Sequence, residues 1–489
     1  MIRKGLLGLL ASLVVLAAVL VYRTASFLPP DQVQSGPAAE AIEAIDANAI
    51  ASRLSQAVRF ATVSPQPPQA IDPAPFDAFV AWLAATYPEV HARLERNVLG
   101  GRTLLFRWPG RNPSGKPALL TAHYDVAPVV PGTEKTWKHP PFSGDIADGH
   151  VWGRGTLDDK GAVITILEAV TWLLRQGYQP QNSVYLSFGH DEELGGAEGA
   201  AAVAAHLKAG NVRLAWSLDE GSFVLDGLVP GVARPVASIS VAEKGVLTVE
   251  ITAHAPGGHS SMPPGETAVG ILAQAIVRLQ QAPLPGGLDG ISGEVFGALG
   301  RQMSFGKRLL FANQWLFGPL LERELAKSPS TNAVLRTTTA PTMLSGGVKE
   351  NVLPIDATAT VNFRLHPRDT AQRVVEYVRQ VVADERVGVR MVHGWEASPV
   401  SSTDSDAYRA LSGAARRAYG DVAVAPGLTV GATDSKHYGA VADNAYRFHP
   451  MVITGQDLTG FHGTDERISI ENLARATRFY IELIRSEAR

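Results

Sequence analysis

The sequence contains no cysteine among its 489 residues. Disulfide bonds, thiol nucleophiles and cysteine-based zinc sites are therefore excluded, and any metal would have to be held by His, Asp or Glu. The chain also lacks a basic excess, since 44 Lys and Arg against 47 Asp and Glu give a net charge of -3. Binding to a phosphate backbone normally demands such an excess, so we expect no nucleic-acid partner.

Low-complexity sequence and internal repeats are also lacking. The 47 Gly and 32 Pro are only modestly above average usage, which excludes collagen-like chains. The length allows about two to four domains, and a hydrophobic content of 45% is enough to bury real cores.

An apolar segment stands near the start of the chain. Residues 5–22 form an uncharged run that would reach roughly 27 Å as a helix, just enough to cross a bilayer. We interpret this run as an uncleaved membrane anchor, because a cleavable signal usually has a shorter apolar core; a buried helix is the other alternative. Arg3 and Lys4 would then hold the amino terminus in the cytoplasm and send the rest of the chain to the periplasm or the outside, with residues 27–37 as a spacer. Cleavage would instead give a secreted protein.

Beyond the spacer, strand-like and helix-like patterns alternate, which predicts an α/β architecture with a mixed, mostly parallel sheet flanked by helices. We expect strands at 118–122, 183–188 and 214–218, and helices at 161–174 and 197–208. Each strand ends where charged residues begin. The carboxyl ends of parallel strands are where ligands bind in open sheets, so a site is expected at this edge.

The pattern changes after residue 242. Alternating strands are expected at 247–255, 357–365 and 387–392, with helices at 266–281 and 371–383. This order predicts a small α+β sandwich inserted into the larger domain, with 282–330 as an elaboration of the insert. The predicted organisation is an anchor or signal segment at 1–30, a first part of the main domain at 31–242, the insert at 243–397 and a second part at 398–489.

Two motifs carry the first candidate metal ligands. His123 and Asp125 stand two apart, so on a strand they face the same side and one can orient the other, although such a pair is commonly found on a surface. GRGTLDDKG follows at 153–161 and is not a dinucleotide fingerprint, because Asp158 stands where the third glycine belongs. Helix capping is the alternative role for Asp158.

Further carboxylates and a histidine follow at other strand ends. Asp191, Glu192 and Glu193 come after the strand at 183–188, and burying three adjacent carboxylates would cost several kcal/mol without a cation; a solvated acidic turn is the alternative. Asp219 closes the next strand, and His462 lies near the end of the chain. Five separate segments thus offer His, Asp, Glu, Asp and His, an inventory that matches two divalent metals held by nitrogen and oxygen.

The order of these motifs resembles that of the M20 family of metallopeptidases across almost the whole chain after the anchor. Trp137, PPF at 140–142, LDEG at 218–221 and GGVKENVLP at 346–354 look most like the carboxypeptidase S branch, which also holds N-acyl amino acid hydrolases. The resemblance implies a zinc-peptidase catalytic domain interrupted by a lid domain that often mediates dimerisation.

The resemblance also implies roles for individual residues. Glu192 would be the general base, and Asp125 would orient a metal-binding histidine. Asp158 would bridge two zinc ions, with the remaining ligands supplied to one ion by His123 and Asp219 and to the other by Glu193 and His462.

The implied lid supplies three further candidates. His259 resembles a histidine that reaches a neighbouring subunit's active site and stabilises the oxyanion; a loop histidine bonded to its own backbone is the alternative. Asn351 and Arg364 resemble residues that bind the carboxylate of the substrate, a task suited to the bidentate fork of arginine. A surface salt bridge is the alternative for Arg364, and Asn362 departs from the acid that many relatives carry two positions before the arginine.

The resulting hypothesis is a membrane-anchored dizinc hydrolase that cleaves an amide bond next to a free carboxylate, with a possible homodimer through the lid. It would act as a carboxypeptidase on peptides, or alternatively as an N-acyl amino acid hydrolase. A receptor-like relative without the chemistry is the remaining alternative, disfavoured because every matched position is present. Residues 433–437 are expected to line the cleft.

Overall fold

The computed structural model describes residues 2–29, 45–66 and 71–486. Residues 30–37 of the predicted spacer lie outside them. The helices of the described chain are α1 Ile2–Ser26, α2 Ala47–Val58, α3 Pro73–Thr86, α4 Pro88–Arg93, α5 Lys160–Arg175, α6 Ala200–Ala209, α7 Ala268–Gln281, α8 Gly290–Arg301, α9 Phe305–Ala312, α10 Gln314–Leu325, α11 Pro329–Leu335, α12 Ala371–Val382, α13 Asp406–Tyr419, α14 Ser435–Tyr438 and α15 Ile470–Ser486.

The strands form one large sheet, an antiparallel sheet and two small ribbons. They are β1 Glu95–Leu99, β2 Thr103–Trp108, β3 Ala118–His123, β4 Ile146–Ala147, β5 His150–Trp152, β6 Val184–Gly189, β7 Leu214–Asp219, β8 Val224–Leu225, β9 Val236–Glu243, β10 Gly245–His254, β11 Gly258–His259, β12 Thr338–Gly346, β13 Val352–Leu353, β14 Asp356–Leu365, β15 Val387–Trp395, β16 Ala423–Thr429, β17 Ala442–Arg447, β18 Val452–Ile453 and β19 Arg467–Ser469.

The large sheet has the order β1-β2-β6-β3-β7-β17-β9-β8-β18, with β16 beside β9. Its centre is parallel, because β3 pairs in parallel with β6 and β7, and β7 with β17. Both faces are covered: Leu120 packs under the layer of α2, α5, α13 and α15, whereas Leu119 faces α6 and α14. Burial on both faces explains why β3 reads as a nearly continuous apolar run. The predicted mixed α/β architecture is confirmed.

A second, antiparallel sheet has the order β12-β14-β10-β15. Alternate residues of β14 are buried, as expected for a strand with one covered face, and α7 and α12 provide that cover. Its core is separate from that of the large sheet. We call residues 245–281 and 338–395, which contain this sheet and its two helices, the inserted unit.

The helical segment α8–α11 contacts both the inserted unit, through Ser292 and His366, and the large sheet. We predicted that residues 282–330 elaborate the insert, but Ile291 and Val295 of α8 belong to the core of the large sheet, and α8 packs on β16. The segment also has a core of its own, which includes Phe296, Phe311 and Leu321. Its mixed apolar composition did not reveal which of two neighbouring surfaces it would cover.

The inserted unit leaves and rejoins the large sheet at neighbouring points. The amide of Ser398 donates to the carbonyl of Glu243 over 3.1 Å, and that of Ser401 to the carbonyl of Val241 over 2.8 Å. The two ends of the inserted unit therefore lie side by side, and β16 and β17, which follow it along the chain, belong to the same large sheet as β9.

Candidate active site

The carboxyl ends of the central parallel strands carry the candidate ligands. His123 is the last residue of β3, and its Nε2 lies 2.9 Å from Oδ1 of Asp158 and 3.4 Å from Oε1 of Glu220. The loop that begins α5 supplies Asp158, and the residue after β7 supplies Glu220. The potential ligand atoms of these three residues all lie within 4.8 Å of one another.

A second group of potential ligands adjoins the first and shares Asp158. The Nε2 atom of His462 lies 3.0 Å from Oδ2 of Asp158 and 3.5 Å from Oε2 of Glu193. The two oxygens of Asp158 thus face two different histidines, which is the arrangement a bridging carboxylate needs. Four of the five ligands predicted from the sequence, His123, Asp158, Glu193 and His462, are brought together.

The role of the fifth predicted ligand, Asp219, stays a prediction. Its neighbour Glu220 belongs to the group with His123 and Asp158, whereas Oδ2 of Asp219 is buried without a hydrogen-bond partner among the described residues. Oδ1 of Asp219 instead accepts the amide of Glu220, and burial followed by the nearby Glu220 raises the pKa of Asp219 to about 7.

Asp125 connects the two sides of the site. Its backbone oxygen lies 3.0 Å from Nδ1 of His123, and its side chain accepts the amides of Glu192 and Glu193 over 3.2 and 3.1 Å. The hydroxyl of Ser64 donates to the same carboxylate over 2.8 Å. Asp125 therefore fixes the histidine and the acidic turn together, and Ser64 is a supporting residue that no sequence pattern indicated.

Glu466 holds the loop that presents Asp158. Its Oε1 accepts the amides of Gly155 and Leu157 over 2.9 and 2.8 Å, and its Oε2 accepts from Nη1 of Arg154 over 2.7 Å. This buried ion pair was missed by sequence reasoning. The one sequence feature that could have indicated this ion pair is the position of Glu466, four residues after His462. The pair connects the loop of His462 to the loop of Asp158.

The electrostatics of the pocket are unfavourable without cations. Burial raises the pKa of Glu192 well above its usual value, and the neighbouring carboxylates add to the effect although His123 opposes it. Burial would also raise the pKa of Asp158, but its contacts with His123 and His462 outweigh burial and lower that pKa. Burial likewise raises the pKa of further carboxyls: Asp159, Asp191, Asp219, Glu220 and Asp434. Such a concentration of buried acids is stabilised when dications neutralise it.

The donor set fits divalent metal ions. Oε1 of Glu193 and Oδ2 of Asp219 are buried and have no hydrogen-bond partner within residues 2–29, 45–66 and 71–486. The ligands are imidazoles and carboxylates, which suit zinc and related first-row ions.

Three predicted residues lie in the inserted unit and outside the two ligand groups. His259 is exposed on β11, where its Nδ1 lies 2.8 Å from the hydroxyl of Ser261; the carbonyl of Asn351 accepts the amide of Ser260. Arg364 lies on β14, on the face opposite α7 and α12. Across the described residues, none of the three predicted side chains hydrogen-bonds to a candidate ligand.

Residues 433–437 pack against the acidic turn. The carboxylate of Asp434 approaches Gly196 so closely that a Cβ there would lie 1.9 Å from Oδ1, and Gly196 also has φ +69°. A side chain at Gly196 would therefore collide with Asp434 and be strained. The ammonium of Lys436 lies 5.4 Å from the ring centre of Trp395, which ends β15, so this segment contacts the inserted unit.

Imidazole and carboxylate groups clustered at the strand ends of a doubly covered α/β sheet are the arrangement expected of a metal-binding site in an α/β enzyme. The chain belongs to the peptidase family M20/M25/M40, whose model matches residues 119–486. The family resemblance inferred from the motifs is thereby confirmed.

Individual relatives extend the similarity over nearly the whole chain. N-fatty-acyl-amino acid synthase/hydrolase PM20D1 of Xenopus tropicalis is 40% identical, covering 98% of this chain and 94% of that protein. A probable carboxypeptidase S-like protein of Dictyostelium discoideum is 39% identical, covering 99% and 93%. Among solved structures, an M20 family metallo-carboxypeptidase of Sulfolobus solfataricus superposes with a TM-score of 0.62 at 19% identity, covering 90% of this chain and 99% of that one, which supports the fold.

Proposed function

We propose that this protein binds two zinc ions and hydrolyses an amide bond next to a free carboxylate, as a carboxypeptidase-type enzyme. The observation that carries the proposal is the sharing of Asp158 between two ligand groups, with Glu192 beside them. The proposed ligands are His123, Asp158 and Glu220 for one ion and Asp158, Glu193 and His462 for the other.

Zinc bound there would act as a Lewis acid on the scissile carbonyl and bring the pKa of water towards neutrality. The protein's own contribution is a positioned base. Glu192 lies three residues after the end of β6, and its amide is held by Asp125, so its carboxylate is fixed beside His123 and Asp158. Glu192 removes a proton from the attacking water and delivers it to the leaving amine as the carbon–nitrogen bond breaks.

Recognition of the substrate carboxylate is assigned to the inserted unit. Arg364 is half-buried and makes no salt bridge among the described residues, and burial lowers its pKa without removing its charge at neutral pH. A guanidinium without an acidic partner is suited to bind an incoming carboxylate through two hydrogen bonds. Asn351, whose buried Oδ1 has no hydrogen-bond partner in that part of the chain, and His259 are proposed to complete the substrate site.

The acyl side of the substrate has two candidates. Carboxypeptidase S-like relatives favour a peptide. An N-acyl amino acid is favoured by 40% identity to proteins named for N-fatty-acyl amino acids. Both candidates share the amide bond and the free carboxylate, so the proposed mechanism is the same for each.

The experiment compares hydrolysis of peptides with free and with amidated carboxyl termini, and of N-acyl amino acids, by the zinc-loaded protein. We expect activity only on substrates with a free carboxylate. Glu192→Gln should lower kcat by about 10² to 10⁴ while retaining metal, because it removes the base and leaves the ligands. Glu198→Gln, at an exposed carboxylate, is the matched control. Unchanged kcat in Glu192→Gln would remove Glu192 as the base, and zinc binding without hydrolysis of any substrate would favour a receptor-like protein.

We further propose that α1 anchors the protein in a membrane with the catalytic part outside the cytoplasm. Residues Arg3–Ser26 are long and apolar enough to span a bilayer. Arg3 and Lys4 precede the apolar run, as expected for a cytoplasmic amino terminus. Extraction of membranes with alkaline carbonate, together with the mass of the mature chain, tests this: release or loss of α1 would indicate a cleaved signal.

Dimerisation through the inserted unit is the last part of the proposal. Strand β12 is an edge strand, and its Met343 and Leu344 are exposed. An apolar edge of this kind is suited to pair with a second copy. Light scattering should report a dimer that Leu344→Lys converts to a monomer, whereas Val430→Lys, at an exposed residue outside the insert, should leave the dimer intact. A monomer at all concentrations would refute dimerisation.

A further inference from the structure

The helical segment α8–α11 makes hydrogen bonds to the end of α1. The guanidinium of Arg23 donates to the carbonyl of Ala312 over 3.2 Å, and the side-chain amide of Asn313 lies 3.3 Å from both the carbonyl of Leu20 and the hydroxyl of Thr24. Asn313 is fully buried and stands at the corner between α9 and α10. The last turn of α1 is therefore fixed to the start of α10.

The residues that follow α1 strengthen this attachment. Phe27 packs into the core of the helical segment, and the guanidinium of Arg301 lies 4.1 Å from the centre of its ring. Arg301 also donates to the carbonyl of Leu28 over 2.8 Å. These contacts make the junction between α1 and the folded body a packed interface.

The first two turns of α10 expose an apolar face beside this junction. Trp315, Leu316 and Leu320 have 57%, 42% and 48% of their surface exposed, and Pro319 between them is exposed as well. These positions are spaced i, i+1, i+4 and i+5, so they share one face of the helix. The opposite face is already used, since Leu321 is buried in the core of the helical segment.

We propose that this face of α10, formed by residues 315, 316, 319 and 320, rests in the surface of the lipid bilayer that α1 spans. The inference depends on the proposed anchoring by α1. The apolar run of α1 ends at Arg23, which marks where the hydrocarbon region gives way to water. Because α10 begins at that same turn, its exposed side chains lie at the depth where tryptophan and partly buried apolar residues are favoured.

Contact with the bilayer would explain two features: the exposed apolar patch on α10 and the packed junction between α1 and the folded body. A contiguous apolar patch on an exposed helix commonly marks an interaction surface. The rigid junction at Asn313 and Arg301 would hold the catalytic part at a fixed orientation above the membrane, whereas a flexible tether would let it turn freely.

The absence of cysteine makes a direct test possible, since single cysteines can be introduced and labelled. The full chain is reconstituted in phosphatidylcholine vesicles with a fluorophore at Leu316→Cys or Leu320→Cys, with or without lipids that carry a quencher. Val14→Cys, within α1, is the control for bilayer contact, and Val348→Cys, which is 96% exposed in the inserted chain, is the control for water.

We expect the lipid-borne quencher to reduce fluorescence at positions 14, 316 and 320 and to leave position 348 unchanged. Quenching at 14 without quenching at 316 and 320 would overturn the proposal while retaining the anchor. Protection of 316 and 320 from an aqueous quencher, without quenching by lipid, would instead indicate that protein covers the patch. An unquenched position 14 would refute both the anchor and the bilayer contact of α10.

Discussion

Replacing Glu466 by glutamine tests whether the loop that carries Asp158 is positioned by a buried ion pair. Oε1 of Glu466 accepts three backbone amides, those of Gly155, Leu157 and Asp158, whereas Oε2 accepts from Arg154. Glutamine has the same shape but only one acceptor oxygen. If this oxygen accepts from the loop amides, the side-chain NH₂ group of glutamine faces the guanidinium of Arg154, and both groups are donors. If the side chain is flipped, the NH₂ group faces the loop amides, which are also donors.

The expected loss of stability follows from this conflict. Breaking a buried ion pair from one side costs about 3–5 kcal/mol, because the other charge stays buried without its partner. Displacement of the loop should also weaken zinc binding by about 10- to 100-fold, the usual effect of losing a residue that supports a metal ligand. Denaturant unfolding and metal titration of Glu466→Gln measure the two effects.

A control and a rescue distinguish positioning from general destabilisation. Glu482→Gln breaks another ion pair, the 2.6 Å contact with Arg417, in the helical layer and should lower stability without changing zinc affinity. In Arg154→Met/Glu466→Gln the unpaired guanidinium is gone, so the double variant should lose less stability than the sum of the single losses. Wild-type zinc affinity and stability in Glu466→Gln would refute the reasoning.

The remaining predictions concern the metal ligands and their support. Glu220→Gln should reduce the metal content by about one ion per chain, whereas Asp219→Asn should retain two ions. Elemental analysis decides, and the opposite result would support Asp219, the ligand predicted from the sequence. Removing metal with a chelator should lower the midpoint of thermal unfolding, and adding zinc should restore it. Zinc at about 1,000 times its Kd would add about 4.1 kcal/mol to the free energy of unfolding. An unchanged midpoint would argue against a metal centre within the fold. Asp125→Asn should lower kcat and weaken metal binding together, because this carboxylate supports both ligand groups, whereas Ser64→Ala should have a smaller effect of the same kind; loss confined to KM would contradict this role.

The sequence predicted the central strands and most of the site because each signal was local. A buried run followed by an acid or histidine marked the ends of β3, β6 and β7, and parallel pairing then brought these ends together. The choice between Asp219 and Glu220 could not be made in the same way. Both stand at the end of β7, and the residue pattern alone does not decide which of the two carboxylates would bind a metal.

Local sequence patterns did not predict the contacts between distant residues that support the site. Ser64 meets Asp125 through a bridge between Val63 and Val126, and Glu466 meets Arg154 across more than 300 residues of chain. Neither contact leaves a periodic trace in the sequence. The packing of α8 could not be predicted for a related reason, because its surface meets both the large sheet and the inserted unit, the latter through Ser292 and His366.

The chain makes several hydrogen bonds at the start of the inserted unit. Glu243 accepts from the hydroxyl of Thr433 over 2.8 Å, and the ammonium of Lys244 donates to the carbonyls of Ala333 and Arg336, both over 2.9 Å. Both side chains are buried, so moving these two residues would break bonds that water cannot easily replace. The chain is therefore held firmly where it enters the inserted unit. Residues 433–437 contact Glu243 through Thr433 and Trp395 of the inserted unit through Lys436, so this segment connects the inserted unit to the large sheet.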